Sequence, residues 1–255
     1  MSGSTGLVSR VEQENVVVLR LEDPDRRNAL SMAMLERLLE ELEAAGRSPA
    51  SVVRIEGAGS AFCAGIDLDV GREDPRRLGD LLELLSQAMR SIRGLPQVVV
   101  ARVQGAAIAG GCALLSACDF RCGEPGTRLG YPVPRVGLSA AVSVPTLLGT
   151  IGPSRVRSLL LEASVLDGQT AFRSGLLTHC AESLDRLSEL VETLCGDLAA
   201  KGPEAMRRTK AWLNELDGSI DDARHERALA CSVSTTGTEE ARALLESNWT
   251  RGGRR

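Results

Sequence analysis

An α/β fold with a helical C-terminal region is what this 255-residue sequence predicts, on three observations. Strand-like and helix-like segments alternate three times before residue 120, which favours crossover helices covering a sheet. Beyond residue 184 the apolar residues recur almost only at helical spacing. With 43% hydrophobic and 25% charged residues, the chain has an ordinary globular composition and enough length for one sizeable core.

Taken in order, "LVSRVEQENVVVLRLED" (7–23) alternates apolar and polar residues on either side of Glu12 to Glu14, the pattern of a hairpin with one buried face. The turn-rich "DPDRRNA" follows. Ser31 then caps a helix whose Leu35, Leu38, Leu39 and Leu42 repeat at helical spacing until Gly46 stops it. "SVVRIEG" (51–57) reads as a short buried strand. "LGDLLELLSQAMRSIRGLP" (78–96) is a second amphipathic helix, stopped by Gly94 and Pro96, and "QVVVARV" (97–103) is the next strand. After "PSRVRSLLLEA" (153–163), helices are expected over 184–200, 204–216 and 221–247, with "KGP" and "DGS" as breakers. This divides the chain into a core over 1–200 and a helical appendage over 201–255, with a soft boundary.

Charge excludes some classes of partner. The net charge is −4, and the 30 Lys and Arg are scattered among 34 Asp and Glu, which argues against nucleic acid and anionic membrane. No stretch has the length and apolarity of a membrane span or a signal peptide, so a cytoplasmic location is expected. Seven cysteines without a CxxC pair read mostly as small buried hydrophobes in a reducing compartment. Cys118 and Cys122 lack a nearby His or a second cysteine pair, so no metal is expected.

Two glycine-bearing stretches carry the candidate chemistry. "EGAGSAFCAGIDLD" (56–69) and "VQGAAIAGGCALLSACD" (103–119) each follow a strand, and the second starts a helix at Gly110 or Gly111. A helix start leaves unpaired N–H groups and partial positive charge, which stabilise an anion or an oxygen becoming anionic. If an amide following Gly65 joins one from Gly110, the pair forms an oxyanion hole, in which one donor contributes on the order of 3 kcal/mol to lowering a barrier. For either stretch alone, tight turns and close helix–strand packing are the simpler account.

Together with "RRNALS" (26–31) and "YPVPRVGL" (131–138), these stretches resemble the crotonase, or enoyl-CoA hydratase/isomerase, superfamily in order and spacing through about residue 180. The resemblance implies a crotonase-like spiral of repeated ββα turns with C-terminal helices that assemble homotrimers or hexamers. It also implies binding of an acyl-CoA thioester, with coenzyme A as part of the substrate and no separate cofactor. The thioester carbonyl would sit between the amides of Ile66 and Gly110, with Ala64, Asp67, Leu68, Gly111, Ala113 and Val133 around it. The Asp25, Arg26 and Arg27 loop matches the family's edge for the CoA nucleotide, where Arg26 and Arg27 would meet phosphates or simply face solvent. Asp119 matches a structural position.

The departures are as informative. Family hydratases place one glutamate where this sequence has Ala113 and another where it has Val133, and neither residue can position a water about a double bond. The position of a dehalogenase nucleophile falls on Ala141. Tyr131, the only tyrosine, is a candidate proton donor, or a packing residue that strand-like alternation turns away from Val133. Asp67, Asp69, Glu73 and Asp74 read as a loop that enters the site or as a solvated, turn-capping run. His179 reads as a surface residue and His225 as a solvated one. The functions left open are an enzyme stabilising a thioester enolate, by hydratase/isomerase or decarboxylase-like chemistry in which Arg128 or Arg135 holds a substrate carboxylate, and a non-catalytic acyl-CoA binding or assembly protein.

Overall fold

The structure, a computed structural model, describes residues 6–71, 74 and 76–252; Glu73 of the acidic loop lies outside the described residues. The chain opens with β1 (Val8–Gln13) and β2 (Val16–Leu21), an antiparallel hairpin turning through Glu14, whose φ is 52°. Helix α1 (Met32–Gly46) starts where Ser31 accepts a hydrogen bond from the Met34 amide at 3.2 Å. Next come β3 (Val52–Gly57), α2 (Arg76–Gly94), β4 (Val98–Arg102), β5 (Ala106–Ile108), α3 (Gly110–Ala117), β6 (Phe120–Gly123) and β7 (Arg128–Gly130). They are followed by α4 (Val144–Leu161), β8 (Val165–Asp167), α5 (Gly168–Ser174), β9 (His179–Cys180), α6 (Leu184–Ala199), α7 (Pro203–Asp217), α8 (Asp222–Thr236) and α9 (Glu239–Gly252).

The larger sheet has the order β1-β2-β3-β4-β6-β9, parallel after its opening hairpin, and β5-β7-β8 form a second sheet. Its two faces follow from the period of two along each strand. In β4, Val99 and Ala101 point into the main core with α1, α2 and α3, whereas Val98 and Val100 pack with Val52 and Cys122 beneath α6 through Leu187, Val191, Cys195 and Leu198. Both faces are covered, as a parallel sheet requires.

The helical reading needs one correction. The segment expected as one helix over 221–247 is two, because Gly237 interrupts it and the Thr238 hydroxyl accepts from the Ala241 amide at 3.1 Å to begin α9. Ahead of these segments, α4 begins at Val144 and is broken at Gly152, where φ is 75° and ψ is 162°.

Polar bonds join the C-terminal helices to the rest. The Lys210 ammonium lies 2.7 Å from the Asp119 carboxylate and donates to the Gln97 carbonyl at 2.8 Å, while Asn214 donates to the Arg93 carbonyl at 2.9 Å. Burial lowers the Lys210 pKa, and Asp119 opposes that shift. From α8, the Ser232 hydroxyl accepts from the Val142 amide at 2.8 Å and the Thr235 hydroxyl accepts from the Ser139 amide at 3.0 Å. His225, expected in solvent, is 1% exposed, with its Nε2 2.8 Å from the Ser219 carbonyl oxygen.

Candidate functional site

Segment 63–67 runs between two neighbouring pieces of chain. On one side the amides of Leu30 and Ala64 donate to Gly65 and Arg27, and Asp67 donates to Leu30. On the other, Cys63 donates to Ala106 and Ile108 donates to Cys63. Asn28, completely buried, fixes the loop above: its side-chain amide donates to the carbonyls of Ala58 and Ala61 at 2.9 and 2.8 Å, and reaches Phe62 at 3.2 Å. Its own left-handed backbone (φ 55°) is one that Asn tolerates.

This lacing brings Gly65 against Gly110. Gly65 has a φ of +105°, and a Cβ there would lie 2.8 Å from the Ile108 carbonyl oxygen, so the approach requires glycine. A Cβ on Gly110 would lie 3.2 Å from the Ile66 amide nitrogen and 3.0 Å from its side chain. Gly111 packs just as closely, with an added Cβ 2.4 Å from the Cys63 carbonyl. Ala109 turns the chain from β5 into α3 at φ 49° and ψ −109°, a conformation costly for a residue with a Cβ. As the first residue of α3, Gly110 has no intrahelical acceptor for its N–H, and among the described residues the Ile66 amide likewise donates to no backbone or side-chain acceptor. Ala64 is different, because its amide is already committed to Arg27.

A cavity of about 30 Å³ opens beside the pair, lined by Ile66, Gly110, Ala113, Tyr131, Val133 and Ser143 with several aliphatic neighbours. That volume holds about one water-sized group. Among the described residues, its wall contains no Asp, Glu, His, Lys or Arg. Ala113 and Val133 therefore face the same void. Tyr131, expected to turn away from Val133, shares that void, because Pro132 (φ −74°, ψ 12°) and the 3₁₀ turn Val133–Val136 break the extended alternation. Tyr131 is 1% exposed, and its hydroxyl has no partner at hydrogen-bonding distance among the described residues. Burial pushes its pKa well above the ordinary 10, and its polar neighbours are Cys112, Ser143 and Ser116. Burial likewise pushes the Cys112 thiol up to about 12, so it is a neutral neighbour.

The remaining candidates lie elsewhere. Arg26 and Arg27 are exposed, Arg26 pairing with Asp67 at 2.5 Å, and Leu68 begins the short 3₁₀ turn Leu68–Gly71. Arg128 and Arg135, the candidate partners for a substrate carboxylate, are exposed and line no part of the cavity. Ala141 begins the 3₁₀ turn that ends at Ser143. His179 is half-buried, packed against Phe120 with ring centroids 5.8 Å apart, and is not part of the cavity. Two residues escaped the sequence reading. Asn28 carried a signal, an Asn in a turn of charged residues, whereas nothing in "AAVSVP" marks Ser143 as a wall of a cavity.

The sequence model of the family described as enoyl-CoA hydratase/isomerase matches residues 11–241. The chain belongs to the enoyl-CoA hydratase/isomerase family. It is 30% identical to the crotonyl-CoA hydratase of Syntrophomonas wolfei over 246 residues, covering 92% of this chain and 93% of that protein. It is 29% identical to the mitochondrial methylglutaconyl-CoA hydratase of Mus musculus over 241 residues, covering 89% and 76%. The crystal structure of an enoyl-CoA hydratase from Mycobacterium avium superposes with a TM-score of 0.86 at 26% identity, covering 97% and 98% of the two chains.

Proposed function

We propose that this enoyl-CoA hydratase/isomerase family member binds an acyl-CoA thioester with its carbonyl oxygen on the amides of Ile66 and Gly110, and stabilises there the enolate of that thioester. The observation that carries this reading is the pair of adjacent amides without acceptors beside an apolar cavity. Because no carboxylate or imidazole of the described residues lines the cavity, the reading confines the chemistry to reactions that need no strong enzymic base, such as loss of carbon dioxide or exchange of an already acidic α-proton. Tyr131 is the proton donor, kept neutral by its burial. Arg27, in the exposed loop beside the site, meets the CoA phosphates.

The same lining favours a second reading, a non-catalytic acyl-CoA binder, since an unassisted cavity wall is what loss of catalysis leaves. Mass spectrometry of saturated, enoyl, malonyl and methylmalonyl thioesters incubated with the protein in heavy water separates the two. Deuterium at the α-carbon, added water or lost carbon dioxide supports enolate chemistry. Saturated binding without any mass change supports the binder. The exposed Trp212, Leu213 and Leu216 on α7 support self-association as a trimer or hexamer, which light scattering of the purified protein measures.

A further inference from the structure

We infer that Ser232 and Thr235 of α8 are positioning residues that set the length of acyl group the cavity admits, by fixing the stretch of chain that forms one of its walls. The inference rests on the acyl-CoA reading above and deepens it. Leu138, Ser139, Ala140, Val142 and Ser143 all line the cavity, so one short segment supplies much of its wall. Its internal bonds are those of a single turn: the Ala141 amide donates to the Ser139 hydroxyl at 3.2 Å and the Ser143 amide to the Ala140 carbonyl at 3.1 Å. Its place in the protein is set from α8. The Val142 amide donates to the Ser232 hydroxyl at 2.8 Å, and that hydroxyl donates to the Ser139 carbonyl at 3.1 Å. The Ser139 amide donates to the Thr235 hydroxyl at 3.0 Å, which in turn donates to the Ser232 carbonyl at 2.8 Å. Ser232 is completely buried, so without its hydroxyl the Val142 amide loses its partner away from water, and the segment relieves that cost by shifting outwards. Gly137, at the head of the segment, does not yield: an added Cβ there would lie 2.6 Å from the Ala241 Cα of α9.

Volume turns this bracing into substrate selection. With a thioester carbonyl on the amides of Ile66 and Gly110, a void of about 30 Å³ takes about one further carbon. Every additional methylene must displace a wall, and overpacking an apolar wall is unfavourable. The walls differ in how they are held. Leu82 and Leu85 belong to α2, whose backbone bonds are internal to the helix, whereas the 139–142 wall hangs on two side-chain hydroxyls and is the one that gives way. Breaking those bonds is a cost borne by long acyl groups and not by short ones. It does not touch the CoA portion, which the cavity is far too small to hold.

The test is calorimetric titration of the intact protein and of Ser232→Ala, Thr235→Val and Thr235→Ser with acetyl-CoA, octanoyl-CoA and free CoA. The intact protein should bind acetyl-CoA at least roughly tenfold more tightly than octanoyl-CoA. In Ser232→Ala and Thr235→Val that ratio should fall roughly fivefold, the equivalent of one lost hydrogen bond, while affinity for free CoA stays within about twofold. Thr235→Ser keeps the hydroxyl and should keep the parent ratio. Melting curves show which variants are folded, and if Ser232→Ala is not, Thr235→Val at its less buried position decides the question. No preference for acetyl-CoA in the intact protein, or an unchanged ratio in a folded variant lacking either hydroxyl, would overturn this role while leaving the acyl-CoA reading intact. An equal loss of affinity for both thioesters would also overturn it, because a merely structural role predicts that result. Failure of both thioesters to bind better than free CoA would overturn both readings.

Discussion

The Ala109 amide donates to the Gly130 carbonyl at 2.8 Å, tying the residue that precedes the first turn of α3 to the residue that precedes Tyr131. The bond continues the β5–β7 ladder, which pairs Ile108 with Gly130, and so links the two segments that carry Gly110 and Tyr131. A change at either end of this short path is read directly at the site.

Gly110→Ala should weaken thioester binding by at least roughly tenfold. Gly110 is not in a left-handed conformation, so the effect is one of space: the new methyl group falls 3.0 Å from the Ile66 side chain and 3.2 Å from its amide nitrogen, where the carbonyl oxygen is placed. Calorimetry checks this, and binding within twofold of the parent would remove Gly110 from the proposed cradle.

Tyr131→Phe should stabilise the free protein by about 1 kcal/mol, because it deletes a buried hydroxyl that lacks a partner and leaves the ring in place. A higher urea midpoint at an unchanged slope is the expected result. A loss of stability of that size would mean the hydroxyl is satisfied in the free protein by Cys112, Ser143 or Ser116.

Asp119→Ala should cost about 3–5 kcal/mol, since it strands the buried Lys210 ammonium 2.7 Å from where its partner stood. Replacing both residues, Asp119→Ala with Lys210→Met, should recover part of the loss. Additive losses in the double variant, measured by denaturant unfolding, would show that the two do not interact.

Stability should fall as the pH drops through the ordinary histidine value of 6.5. Burial lowers the pKa of His225 and of His179, with the charge of Arg121 adding to the shift at His179. The unfolded chain therefore takes up protons that the native chain refuses, and the loss levels off once the pH is below the depressed native values. His225→Gln should flatten the decline between pH 7.5 and 5.5 in urea melts. An identical slope in that variant would assign the decline to other groups.

Much of the architecture was legible because local signals agreed. Ser31, the leucines of α1 and Gly46 mark one helix three times over, and β3, α2 and β4 repeat that redundancy. The split between α8 and α9 was not, because apolar spacing runs on through Gly237 and only the Thr238 cap, a single side-chain bond, decides the break. His225 was misread for a related reason: its charged neighbours suggest solvent, while its partner, the Ser219 carbonyl, belongs to the loop before the helix. Around the site, the glycine-bearing stretches could be picked out, but the company of Tyr131, Ala113, Val133 and Ser143 depends on a 3₁₀ turn whose geometry no periodicity reports.

The hydroxyls of Ser232 and Thr235 hold the 139–142 wall of the cavity from α8, more than a hundred residues after Gly110. During synthesis, the amide pair is in the growing chain long before the wall that encloses it is braced. A ribosome must deliver nearly the whole polypeptide before the pocket acquires its last side, so a message truncated after α7 yields a protein with the cradle's residues present and its enclosure unbraced.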